Sequence, residues 1–440
     1  MRRPPGRPVR RGRPKPPGRT LLVVHARELL TVGGSPEPRR REAASDLGIV
    51  EDGAVYAEGD RIVEVGPTKD VVRRHPRAHR TVDASGKVVM PGFVDAHTHT
   101  IFAGSREHEV EWKAQGLSYS EIASRGGGIL ETVQATRRAT EEDLVRSGAD
   151  RLRTMLGQGT TTVEVKSGYG LRTADELKIL RAAKRAGARA ETDVVRTFLG
   201  AHAIPPEFAA RRGDYVTLLA QESLEAIASE RAATFCDAFV EHGYFDAEEA
   251  RTVFRKAATL GLGIKLHADE LTDGGGAALA AEMHATSADH LLHASGAGIE
   301  AMARSGVVAV LLPGTSLASR MPFADGRRLI AAGVPVALGT DFNPNCWCES
   351  MQLVIALACH HNGLLPSQAI VAATINAAHA IGLADRVGSL EVGKQADLLV
   401  LDIPSYRHLG YRLGGNAVAA VVKRGRVMPP LRPAGLPHTR

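Results

Sequence analysis

Aromatic side chains are scarce, at 4% of 440 residues, and cysteine occurs only four times, as Cys236, Cys346, Cys348 and Cys359. So few cysteines in so long a chain exclude a disulfide framework and point to a reducing compartment. Long apolar runs are missing as well. None approaches the roughly 18 uncharged residues that a membrane-spanning helix needs. No secretory apolar segment stands at the N-terminus, so a cytoplasmic protein without a membrane partner is expected.

Acidic residues are absent from Met1 to Arg19, which holds eight basic ones. Without this arm the net charge of +6 becomes −2, so the basic character is local and the body is nearly neutral. The arm's prolines and arginines cannot bury apolar surface and predict disorder. A nucleic-acid-binding tail and a solvated extension both fit such a run. The second is the plainer reading, and no nucleic acid is expected to be needed for function. Serine is missing and proline opposes an amphipathic helix, which argues against a transit peptide.

What is present is a strong hydropathy pattern. From Thr20 to Lys87, short β-like runs are punctuated by turns at Gly53, Gly59 and Gly66, and the same texture returns in GSLEVGKQADLLVLD and AVAAVVKRGRV. The expectation is a small discontinuous β-sandwich domain built from both chain ends, residues 20–87 and 388–428. Residues 1–19 form the arm and 429–440 a flexible tail. The middle, 88–387, alternates helical patterns with eight apolar strand-like runs, from VVMPGFVDAH and TTTVEVKSG to VVAVLLPG and PVALGTD. Thr140 and Thr173 each open a sequence that predicts a capping box. Eight buried strands, most followed by a helix, predict an α/β fold of the (β/α)8 TIM-like barrel type. An open doubly wound sheet competes, but no glycine-rich dinucleotide turn follows the first strand.

The polar exceptions lie at the C-terminal ends of these runs, where a barrel gathers its loops into one mouth. They are His97 and His99 after the first strand, His202 after the third, His267 and Glu270 after the fifth, His290 after the sixth and Asp341 after the eighth. On an extended chain His97 and His99 share a face. Imidazoles beside carboxylates suit a borderline divalent cation such as zinc or iron. A lone histidine is more often a hydrogen-bonded structural residue, but this set recurs at one end of the strands.

The motifs VDAHTH, KLHADEL and GTD, with ATINAAHAIGL and GSLEVGKQADLLVLD, resemble those of the amidohydrolase superfamily. HTHTIFAGSREHE, GGGILETV, GTTTVEVKSGYGL, TFLGAHAIP and TDFNPN are most similar to its branch that opens an imidazolone ring in histidine degradation. That resemblance implies a metal-dependent hydrolase. It would convert 4-imidazolone-5-propanoate to N-formimidoyl-L-glutamate by cutting a ring carbon–nitrogen bond. It implies one divalent metal per subunit, zinc or iron, held by His97, His99, His267 and Asp341. Asp341, Glu270 and His290 are implied as catalytic groups. Arg106 is the implied carboxylate clamp, and its alternative is a surface salt bridge to Glu107 or Glu109. Tyr169, His202, Glu270 and Asn343 are further implied substrate contacts, as are Asn345 and Cys346.

At Asn345 and Cys346 the chain departs from the glycine and small hydroxyl residue of many relatives, which puts one hydrogen bond in doubt. Asparagine tolerates positive φ, so the loop shape is expected to survive. Cys346 and Cys348 are otherwise read as packing residues. Glu241 is the nearest ionisable residue at the fourth strand's end, with His242 a loop residue, and Lys166 is expected to pair with Glu164 or another barrel carboxylate. The expected partner is a small-molecule substrate, and the expected assembly a homodimer. A deaminase of neutral bases and a non-catalytic scaffold are the rival readings.

Overall fold

The computed structural model describes residues 19–117, 121–122 and 125–429. The arm up to residue 18 and the tail from residue 430 lie outside the described residues. No helix among the described residues is long and apolar enough to cross a membrane.

VVMPGFVDAH, read from the sequence as one strand, divides at Gly92. Val88–Pro91 runs antiparallel to Leu398–Leu401 in an outer sheet, whereas Phe93–Asp95 opens the barrel. The outer sheet therefore keeps the chain through Pro91, past the expected boundary at Lys87. A Cβ on Gly92 would lie 2.3 Å from Thr161 Oγ1, so the crossing from one sheet to the other requires glycine.

The outer sheet joins strands from both chain ends, in the order Arg426–Val427, Val418–Lys423, Leu398–Leu401, Val88–Pro91, Thr20–Leu30, Ile49–Glu58 and Arg61–Pro67, with Arg80–Asp83 also beside Thr20–Leu30. Alternation sets its two faces: Leu21 and Val23 enter one apolar cluster, Leu22 and Val24 another with Tyr56 and Val71. The hydrogen bonds join these strands into one continuous eight-stranded sheet that folds back on itself, so that Val55 and Ile62 share a core with Leu398 and Val422 from its other end. A bulge between Val23 and Ala26, with His25 at φ 59°, lets the two halves of the long strand pair with different neighbours.

The barrel strands are Phe93–Asp95, Thr160–Lys166, Asp193–Ala201, Phe235–Val240, Gly263–Ala268, Ser287–His290, Val308–Leu311 and Val336–Leu338, each parallel to the next. They match the eight apolar runs. Closure comes just beyond the strand ends, where Asp341 N donates to His97 O at 2.9 Å and His99 N to Phe342 O at 2.8 Å.

Thr140 forms its capping box with Asp143, and the helix Glu141–Gly157 buries Leu144, Gly148, Leu152 and Leu156 as the spacing predicts. At Thr173 the outcome differs. The helix Thr173–Ala190 has Arg172 at its cap, without a side-chain cap bond. Glu176 is buried and instead accepts from Gly168 N, Gly170 N and Leu171 N at 2.8, 2.8 and 2.7 Å. Three otherwise unpaired loop amides outbid one reciprocal cap, and Glu176 thereby fixes the loop that carries Tyr169.

Glu176→Ala is expected to cost about 3 kcal/mol or more in urea unfolding, because three buried donors lose their acceptor. Thr140→Ala should cost about 1 kcal/mol in the same measurement.

Candidate metal centre and substrate cavity

The closing hydrogen bonds bring the two ends of the barrel sequence face to face. A Cβ at Gly339 would sit 3.0 Å from both the backbone nitrogen and Cβ of His97, so glycine lets strand eight approach this closely. His99 Nε2 lies 3.3 Å from His97 Nε2, 3.4 Å from His267 Nε2 and 3.6 Å from Asp341 Oδ1. His97 Nε2 lies 3.5 Å from the same Asp341 oxygen. A tetrahedron with ligands ~2.0–2.1 Å from its centre has six edges of ~3.4 Å; these contacts match four of them, with His267 joined through His99, which suits a cation such as zinc. His290 offers a further atom within 4.8 Å of ligand atoms on His97 and His267. Asp341 at φ 48° and His290 at φ 77° hold left-handed backbone that non-glycine residues seldom adopt, and both sit at this mouth.

The histidines are aimed from behind. His97 Nδ1 meets Asp289 Oδ2 at 2.6 Å, and His267 Nδ1 meets Asp237 Oδ1 at 3.1 Å. A carboxylate on Nδ1–H leaves Nε2 as a lone-pair donor. Lys166 Nζ in turn lies 2.7 Å from Asp237 and 3.0 Å from Glu164, as expected for its structural reading. Burial and the Lys166 charge hold the His97 pKa well below its usual value, and burial with His202 does the same for His99. For His267 burial works the same way, but Asp237 outweighs it and raises the pKa. Burial raises Asp341 despite hydrogen bonds from Thr315 and Asn343.

A cavity of about 430 Å³ opens above the donors, lined by His99, Arg106, Tyr169, His202, Glu270, His290, Asp341, Asn343 and Asn345 among others. Arg106 is buried rather than a surface group. Its Nε and Nη2 each donate to Glu109 at 2.8 Å, so the salt bridge considered as the alternative exists inside the cavity wall. His202 Nδ1 donates to Gly168 O at 3.0 Å, and burial lowers its pKa to about 3, leaving a neutral acceptor at Nε2. Glu270 Oε2 stands 3.6 Å from His290 Nε2. Burial, reinforced by Asp341, pushes Glu270 up to about 8, and burial keeps His290 neutral.

Some expectations are corrected. Cys346 is buried but is not among the lining residues; its thiol packs 4.0 Å from Thr340 O, because the loop turns it inward. Asn345 needs no positive φ. It lines the cavity and accepts from Lys113 Nζ at 2.5 Å while donating to Ser319 Oγ at 2.9 Å. Asn343 donates to Asp341 O and Oδ1 at 2.8 and 2.9 Å, and its Oδ1 accepts from Asn345 N and Cys346 N, so it locks the loop onto Asp341. Glu241 does not face the donors. It accepts from Leu271 N and Thr272 N at 2.8 and 3.2 Å, tying two loops together.

Asp237, Asp289, Thr315 and Lys113 were not singled out from the sequence, and Glu109 only as a surface partner of Arg106. Asp237 and Asp289 were detectable in principle, as lone charges inside the apolar strands FCDAFV and SADH. Thr315, whose Oγ1 donates to Asp341 Oδ2 at 2.5 Å, carries no such signal.

The Amidohydrolase family model matches residues 88–428, and the model of the bacterial imidazolonepropionase-like composite domain matches residues 53–78. The imidazolonepropionase of Symbiobacterium thermophilum is 52% identical, over 93% of this chain and 97% of that relative. That of Geobacillus kaustophilus is 48% identical, over 93% of this chain and 98% of its own length. Among solved structures, an adenosine deaminase from Xanthomonas campestris with bound zinc covers 94% of this chain and 93% of its own, at TM-score 0.69 and 22% identity. E. coli guanine deaminase covers 93% of this chain and 99% of its own, at TM-score 0.69 and 16% identity. Identities this low speak for the shared fold alone. By family match and by relatives about half identical along nearly their whole length, the chain belongs to the amidohydrolase family and, within it, to the imidazolonepropionases.

Proposed function

We infer that the chain hydrolyses the ring carbon–nitrogen bond of 4-imidazolone-5-propanoate to N-formimidoyl-L-glutamate, in histidine degradation, and that His97, His99, His267 and Asp341 hold the one divalent metal it uses. The observation that carries this reading is one cavity that joins His99, His267 and Asp341 to a buried arginine, with His97 Nε2 3.3 Å from His99 Nε2. Nitrogen and oxygen donors suit zinc or iron. Four free thiols fit a reducing, cytoplasmic setting.

When bound, such a metal acidifies water toward neutral pH and polarises a carbonyl oxygen. The protein supplies the rest. Asp341, steadied by Thr315 and Asn343, takes the proton of the attacking water and returns it to the ring nitrogen as the carbon–nitrogen bond breaks. Burial favours the neutral form of Glu270, which donates to the ring, while His290 beside it orients the carbonyl. His202 accepts from a ring N–H, and Tyr169 walls the ring. Glu109 fixes the plane of Arg106, whose cationic fork faces the propionate, and Lys113 adds a second cation to the same wall.

Chelation is expected to abolish turnover, and about one equivalent of zinc or iron per chain should restore it, read by metal analysis and product formation. Arg106→Gln should lower kcat/KM roughly 10–100-fold with metal content unchanged. An enzyme acting on neutral bases would keep its rate. The protonated form of Glu270 exists below its pKa, so activity should be present at neutral pH and fall as pH rises. The value of about 8 applies without the cation, and a nearby dication stabilises the carboxylate, so the alkaline limb lies at or below it. Glu270→Gln should remove that limb from the pH profile of kcat/KM.

A further inference from the structure

Beneath the donors the barrel interior is filled by charge instead of hydrocarbon. Glu164, Lys166, Asp237, Lys265 and Asp289 are all fully buried. They come from strands two, four, five and six, so no single stretch of sequence displays them together. Lys166 Nζ lies 2.7 Å from Asp237 Oδ2, 3.2 Å from Asp289 Oδ2 and 3.0 Å from Glu164 Oε2. Asp237 holds His267 through its other oxygen, and Asp289 holds His97 through the same oxygen that Lys166 touches.

We propose that Lys166 is a positioning residue of the metal centre, a single ammonium that sets the orientation of His97 and His267 together through Asp289 and Asp237. The inference rests on the metal-site reading above. Its physical basis is threefold. The ammonium donates to Glu164 and Asp237 at 3.0 and 2.7 Å and forms an ion pair with Asp289 at 3.2 Å, so one cation touches the carboxylates behind both imidazoles. Asp237 and Asp289 would repel one another without a cation between them. And a carboxylate behind a ligating imidazole fixes its tautomer and ring angle, a control that Lys166 exerts on two ligands at once. Lys265 is the natural comparison. It is equally buried, but its Nζ contacts Glu164 at 3.2 Å and the carbonyls of Ala96 and Ala380 at 3.1 and 3.3 Å, and it forms no ion pair with Asp237 or Asp289.

The test uses the full chain and cobalt(II) alone, read by the visible ligand-field spectrum and by competition with a chelator. Wild-type protein is loaded first; a failure to bind cobalt there defeats the metal-site reading and is distinct from a failure of this inference. Folded Lys166→Met is expected to bind cobalt roughly 10–100-fold more weakly with an altered spectrum, whereas Lys265→Met keeps wild-type affinity. Lys166→Met leaves three carboxylates facing one ammonium, so a charge-balanced variant accompanies it. Glu164→Gln/Lys166→Met restores the layer's net charge of −1 and carries the same expectation. Wild-type affinity and spectrum in a folded Lys166 variant overturn the proposal. So does an equal loss in Lys265→Met, or failure of both Lys166 variants to fold, since each marks a general structural role.

Discussion

Two backbone hydrogen bonds, Asp341 N to His97 O and His99 N to Phe342 O, seal the barrel at the residues that carry its chemistry. Because the seam and the donor set coincide, the spacing of His97, His99 and Asp341 is fixed by main chain rather than by rotamer choice alone. Everything above the seam, from the Asn343 loop to the cavity wall, is referenced to that junction. A small displacement of strand eight would move an oxygen donor and the loop contacts together.

The charged layer below the seam is costly. Burying an ion typically costs several kcal/mol unless partners repay it, and a barrel interior is ordinarily packed with Val, Ile and Leu. Here repayment is local. Lys166 and Lys265 lie among Glu164, Asp237 and Asp289, while burial opposes ionisation of Lys166 and those carboxylates raise its pKa nevertheless. Such a layer contributes little net stability, and what it offers in exchange is direction for the imidazoles above it.

Strand placement was legible in the sequence because each barrel strand is buried on both faces and reads as a largely apolar or β-branched run, as in VAVL, interrupted by few charges, as in FCDAFV. His97, His99, His267 and Asp341 stood out as polar residues where those runs stop. The split of VVMPGFVDAH was hidden, because both halves are equally apolar and only the crowding of Gly92 on Thr161 separates them. Glu176 was read as a cap by local pattern, yet its partners came from the preceding loop, a preference that only tertiary packing decides. Lys113 escaped notice, and Glu109 was read as a surface partner of Arg106, for a related reason: a short helix, Glu109–Ala114, buries Glu109 and turns Lys113 into the cavity wall.

The outer sheet has a consequence for how the molecule is made. Val88–Pro91 leads directly into the first barrel strand, but its neighbour Leu398–Leu401 emerges from the ribosome roughly 300 residues later. Until then the sheet that anchors the entry to the barrel has an open edge. Pairing across so large a sequence separation is slow to find. The later-made strand thus serves as the clasp for the earlier one, and a nascent chain still missing it would present an unpaired apolar margin to the cell's chaperones.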